Sequence, residues 1–185
     1  VLANHQMPAV VNMSLGGQRD QAMDDAVRSL VNAGIPVAVA AGNSGKKGGK
    51  AGNACDYSPA RTPEAMTVGA SDISDERPTW SNWGDCVDIF APGLTVASSL
   101  SPSDTASGTK SGTSMASPHV AGVAALYMSS RPQATALEVH AAVYAASSQS
   151  VILSSRSINN HLLQTDVAPQ SGSCGDSWCN LDESC

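Results

Sequence analysis

Ala9-Val10-Val11-Asn12-Met13-Ser14-Leu15, residues 20–33, and Ile35-Pro36-Val37-Ala38-Val39-Ala40-Ala41 together form the stretch from which a fold can be read. The first run is mostly apolar and bounded by Pro8 and Gly16-Gly17, the pattern of a buried strand. In residues 20–33 the pairs Ala22/Met23, Ala26/Val27 and Leu30/Val31 recur every four positions, which predicts an amphipathic helix. Asp20 is placed to cap its start, and Gly34 to end it in a left-handed conformation. The third run is again apolar and rich in β-branched residues, a second buried strand. Strand, helix and strand joined by short links make a βαβ unit, so the two strands should run parallel.

Working outward, Met66-Thr67-Val68-Gly69-Ala70 and Val87-Asp88-Ile89-Phe90 read as further short strands. Pro92-Gly93 turns the chain into Thr95-Val96-Ala97-Ser98, and residues 99–110 read as a loop rich in Ser, Thr and Gly. A helix is predicted over about residues 114–130, stopping before Arg131-Pro132, with Pro118 early enough to be tolerated. Thr135 and Glu138 form a capping-box pattern for a last helix reaching about Ser147. The expected class is α/β, a parallel sheet with helices on both faces.

A chain of 185 residues with 42% hydrophobic content can bury one substantial core, as one domain or one with a small appendage. Its net charge of −6 offers no electrostatic case for nucleic acid or an anionic membrane surface. No apolar run is long enough to span a bilayer, and the first residues lack the layout of a signal peptide. Lys46, Lys47 and Lys50 lie among glycines, which reads as a solvated loop. Five cysteines leave one sulfur with a partner elsewhere or as a free thiol, and their number favours an oxidising, extracellular setting. None has the spacing of a structural zinc site.

The chemistry concentrates in Ser111-Gly112-Thr113-Ser114-Met115-Ala116-Ser117-Pro118-His119-Val120-Ala121-Gly122. A serine at a helix N-terminus sits where free backbone N–H groups and the helix dipole favour negative charge, which suits a nucleophile beside a forming oxyanion. A bare Gly-Thr-Ser there would be only a cap. The full segment, however, closely resembles the nucleophile segment of the subtilisin-like serine proteases, the subtilases. The resemblance continues in order through Val11-Asn12-Met13-Ser14-Leu15-Gly16-Gly17, Val39-Ala40-Ala41-Gly42-Asn43, Tyr57-Ser58-Pro59-Ala60, and Ser81-Asn82-Trp83-Gly84 to Asp88-Ile89-Phe90-Ala91-Pro92-Gly93. It covers about residues 1–163 and is nearest to the proteinase K branch.

That resemblance implies Ser114 as the nucleophile of an endopeptidase and Asn43 as the oxyanion-hole side chain. It implies Leu15, Gly16 and Gly17 as an edge for an extended peptide, and Ala40, Ala41 and Gly42 as the lining of a roomy S1 pocket with an apolar or aromatic preference. It also implies a Cys55–Cys86 disulfide. Catalysis would need no cofactor, and a structural Ca²⁺ would take the carbonyls of Pro63 and Ala65 and the carboxylate of Asp88. The partner would be a polypeptide substrate, with neither nucleic acid nor membrane involved, and the intact protein would be a secreted monomer.

The family's Asp-x-Gly and His-Gly-Thr-His-type segments have no match in this sequence. His119 matches a packing histidine of the nucleophile helix, while His5, His140 and His161 match no catalytic motif and suit surface or cap positions. Residues 1–165 are therefore expected to be the C-terminal portion of a subtilase catalytic domain, with the sheet incomplete on its N-terminal side. Residues 166–185, with Cys174, Cys179 and Cys185, would be a tail or the start of a small disulfide-stapled module. The rival reading is a non-catalytic subtilase-like domain that binds peptides or serves as a scaffold. An unrelated α/β hydrolase is disfavoured, since the Gly-x-Ser-x-Gly elbow is absent.

Overall fold

Parallel pairing of residues 11–13 with residues 37–39 sets the frame of the molecule. The computed structural model describes residues 2–45 and 49–167. Lys46, Lys47 and the tail cysteines lie outside them. Strand β1 (Val11–Met13) leads through a two-residue strand β2 (Gly17–Gln18) into helix α1 (Gln21–Asn32) and strand β3 (Val37–Ala40). Asp20 caps α1 by accepting from the amides of Ala22 and Met23, and Gly34 follows the helix with φ +86°. The βαβ unit forms as its sequence dictates.

The chain continues through β4 (Tyr57–Ser58), β5 (Met66–Ser71), β6 (Ile89–Pro92), β7 (Val96–Ser99) and β8 (Ser107–Lys110). Helices α2 (Thr113–Ser130) and α3 (Ala136–Ala146) follow, then two short strands, β9 (Ser148–Gln149) and β10 (His161–Leu162). The main sheet has the order β1-β3-β5-β6-β10-β9 and is parallel except for the β10/β9 pair. Alternation along the strands sends side chains to two faces. Val37 and Val39 meet Val27 and Val31 of α1. On the other face Ala38, Met66, Val68, Ala70, Ile89 and Ala91 pack against Ala116, Val120, Val123 and Ala124 of α2 and against Val139 and Val143 of α3. Helices thus cover both faces. Gly69 is required where Phe90 crosses its strand, because a Cβ there would stand 2.5 Å from the ring.

Three expectations need correction. Residues 9–15 do not form a fully buried strand: β1 is three residues long, half exposed, and lies at the sheet edge with β3 as its neighbour. The strand expected at 87–90 begins two residues later, at Ile89. Residues 99–110 are not all loop, since Ser107–Lys110 pairs antiparallel with Val96–Ser99 as a hairpin. No helix among the described residues is long and apolar enough to cross a membrane.

Candidate active site

Ser114 is the second residue of α2, so its backbone N–H lies among those that no carbonyl of the same helix can satisfy. Its Oγ donates to the carbonyl of Ser14 at 3.2 Å, and in return the Ser14 hydroxyl donates to the Ser114 carbonyl at 2.8 Å. The second bond has a cause in the sequence. Pro118 lacks the N–H that would bond the carbonyl four residues before it, which is that of Ser114. Asn12 completes the link by donating to Ser14 Oγ at 3.0 Å and accepting from Ser117 Oγ at 2.6 Å. The end of β1 is thereby tied to the start of α2.

The N-cap residue of α2, Gly112, has no side chain to cap with. The cap comes instead from Asn43, whose Oδ1 accepts from the amide of Thr113 at 2.9 Å and from its hydroxyl at 3.2 Å. The same hydroxyl accepts from the Gly42 amide at 3.1 Å. With its oxygen engaged twice by Thr113, Asn43 has its NH₂ group left as its side-chain donor, on a cleft that Ser114 also lines.

Behind this segment stands Asn82, fully buried. Its Nδ2 donates to Ala41 O at 2.9 Å, and its Oδ1 accepts from the amides of Ser44 and Gly52 at 3.1 and 3.0 Å. Its own amide donates to Gly42 O at 2.9 Å. Gly42 has φ +104°, and a Cβ there would meet Asn82 Nδ2 at 2.4 Å, so both the turn and the close approach require glycine.

A cleft of about 450 Å³ brings together Leu15, Gly16, Gly17, Ala40, Ala41, Gly42, Asn43 and Ser114. Gly17 is already paired with Ser58 in the β2/β4 ladder, and the Ser14 carbonyl accepts from Ser114 Oγ, so along this edge it is Leu15 and Gly16 that belong to no ladder among the described residues. A second cleft of about 400 Å³ opens on the other side of Ser114, between α2 and the β7/β8 hairpin.

None of the four histidines bonds Ser114 Oγ. His5 bonds Leu2 O at 3.0 Å, and His161 bonds Ser147 Oγ at 2.8 Å. His119 is not a packing residue: it is exposed on the second cleft and bonds Met115 O at 2.7 Å. His140 takes neither a surface nor a cap position. It is 7% exposed, its Nε2 has no partner, and burial lowers its pKa to about 4.

The Subtilase family model (Peptidase_S8) matches residues 2–169. The chain belongs to the subtilase family. It is 46% identical over 163 residues to an extracellular serine proteinase of Thermus sp., and 44% identical over 163 residues to the alkaline serine exoprotease A of Vibrio alginolyticus. Those alignments cover 88% of this chain in both cases, but 38% and 29% of the relatives. A crystal structure of a cold adapted subtilisin-like serine proteinase superposes with a TM-score of 0.82 at 42% identity, over 89% of this chain and 57% of that one. The subtilase segment thus spans well under two thirds of the relatives it matches, and these relatives are serine proteinases by name.

Two residues of this subtilase site were not singled out for a role in the sequence. Thr113 precedes Ser114, and the signal was only its hydroxyl at the first helical position. Asn82 was visible in Ser-Asn-Trp-Gly, but its clamp reaches across some forty residues of chain. Cys55 and Cys86 form the expected disulfide, with Cα atoms 5.3 Å apart. At the implied calcium site, Asp88 Oδ2 accepts from the Thr67 amide at 2.8 Å. Burial raises the Asp88 pKa to about 7, opposed only by that amide. Among the described residues no cationic side chain pairs with it. A buried carboxylate with no cationic partner is the kind of oxygen donor that a hard cation takes.

Proposed function

We propose that this chain carries the nucleophile, oxyanion pocket and substrate edge of a secreted serine endopeptidase. Ser114 Oγ attacks the scissile carbonyl and passes its proton to a base, giving an acyl-enzyme that water then hydrolyses. The developing oxyanion takes hydrogen bonds from Asn43 Nδ2 and from the backbone N–H of Ser114. The base, a histidine held by a carboxylate, comes from outside these residues. Of the edge Leu15–Gly17, the backbone of Leu15 and Gly16 pairs with the extended peptide, while Ala40, Ala41 and Gly42 leave an S1 pocket wide enough for apolar or aromatic side chains. The observation that supports this reading most is the pair of Thr113 bonds to Asn43 Oδ1, which leave the Asn43 NH₂ as donor on the cleft that Ser114 lines from the start of a helix. Secretion is supported by the extracellular naming of the Thermus relative and by the disulfide.

A fluorophosphonate should label the full-length protein at Ser114 and not label Ser114→Ala. Absence of labelling sinks the hydrolase reading and favours a peptide-binding domain. The 185-residue chain alone should show no peptide turnover, and cleavage by it that Ser114→Ala abolishes would overturn the division of labour. A calcium ion would be held by Asp88 and the carbonyls of Pro63 and Ala65, where it would supply structural charge neutralisation and no catalytic step. In Asp88→Asn the rise in thermal midpoint on adding calcium should disappear; an unchanged rise places the ion elsewhere.

A further inference from the structure

A cavity of about 430 Å³ lies behind the Asn43 segment, walled in part by Gly45, Lys50, Arg77, Thr79, Trp83 and Arg156. The chain carries a net charge of −6, yet every charged side chain on this wall is a cation. We propose that the cavity is a binding site for a small tetrahedral oxyanion of the phosphate or sulfate class.

Arg77 is 5% exposed. Its Nε donates to Ser154 O at 2.8 Å, and its Nη1 donates to Ser81 O at 2.6 Å and to Pro78 O at 3.1 Å. These acceptors are neutral carbonyls. They fix the plane of the guanidinium without cancelling its charge. Burial, and then the nearby charge of Arg156, lower the Arg77 pKa, and Glu76 is the one group that pulls the other way. Among the described residues neither arginine, nor Lys50, belongs to an ion pair.

Arg156 is exposed, but its guanidinium is positioned by a ring. Its guanidinium lies 4.1 Å from the centre of the Trp83 ring, and the Trp83 indole donates to Ala51 O at 3.1 Å. Its backbone sits at φ +55°, and its carbonyl accepts from the Gly84 amide at 3.2 Å. The two guanidiniums repel one another across this wall, and an anion bound between them would relieve that repulsion. An oxyanion supplies the paired acceptors that guanidinium groups match, and Lys50 adds a third charge. Gly45, on the same wall, donates its amide to Trp80 O at 3.2 Å and lies two residues beyond Asn43. An ion in the cavity would therefore brace the segment that carries the oxyanion donor.

The test is calorimetric titration of inorganic phosphate into the full-length protein carrying Ser114→Ala to prevent self-digestion, with ionic strength held constant by chloride. Saturable one-to-one binding is expected, with affinity falling about tenfold in Arg156→Gln and in Lys50→Gln. Both side chains reach the cavity from its rim, so these variants keep the test independent of Arg77, whose loss endangers folding. Sulfate should compete with phosphate for the site. No saturable binding at millimolar phosphate, affinity unchanged in both variants, or failure of sulfate to compete would each overturn the proposal.

Discussion

Thr113 holds Asn43 in place through its amide and hydroxyl, and the hydroxyl also takes the Gly42 amide, so one residue fixes both the rotamer of Asn43, the proposed oxyanion donor, and the backbone before it. Asn43→Ala should lower kcat by about 10²–10³-fold, a magnitude taken over from subtilisin's own oxyanion asparagine, with KM little changed. Thr113→Val should lower kcat about tenfold, the scale of one lost hydrogen bond, and Thr113→Ser should restore most of it. Because Thr113 acts through Asn43, Thr113→Val should cost little more in an Asn43→Ala background. Steady-state kinetics on a chromogenic peptide decide this, and full additivity of the two losses would show that Thr113 works by another route. Ser114 and Asn43 were legible in the sequence because each stands in a contiguous motif. The roles of Thr113 and Asn82 were not, because a side-chain bond to a backbone group tens of residues away leaves no local pattern.

Helix α3 shows how much an element reveals and where it stops. Its start was legible: the Thr135 hydroxyl accepts from the Glu138 amide, and the Glu138 carboxylate accepts from the Thr135 amide, closing the capping box. The burial of His140 was not, since an alanine-rich helix does not show which stripe faces inward. In the folded state this imidazole is buried with Nε2 unpartnered, and its pKa falls from 6.5 to about 4. The unfolded chain therefore takes up a proton below pH 6.5 that the folded protein refuses until about pH 4. The stability His140 contributes is present above pH 6.5 and is lost as pH falls toward 4, by about 2 kcal/mol between pH 7 and pH 5. His140→Leu in a Ser114→Ala background should flatten that part of the curve. Urea midpoints at the two pH values measure it, and an unchanged slope would acquit His140. The strands follow the same rule. The β3 and β5 runs were legible from continuous apolar sequence, whereas β8, Ser-Gly-Thr-Lys, carries no alternation and exists because β7 pairs with it.

At the scale of the molecule, the candidate cleft is assembled from residues that follow β1 and β3 and from the start of α2, and what keeps these in register lies partly outside the sheet. The Cys55–Cys86 bridge joins positions 31 residues apart and encloses β4, β5 and the Ser81–Asn82 clamp within one loop. Next to the bridge the Ala54 amide also donates to Trp83 O at 2.7 Å, so the native contact has support besides the sulfur–sulfur bond. The bridge then acts mainly on the unfolded chain, where closing a loop of this length is worth about 3–4 kcal/mol. The double variant Cys55→Ala/Cys86→Ala should lose roughly that much in urea unfolding of the full-length Ser114→Ala protein. With Ser114 restored, kcat at 25 °C should stay near the parent value, because the Asn82 clamp and the Thr113–Asn43 bonds do not run through either cysteine. A large fall in kcat at full folding would reverse this assignment. It would mean that the disulfide shapes the native oxyanion segment directly, with the Ala54–Trp83 pairing too weak to hold it alone.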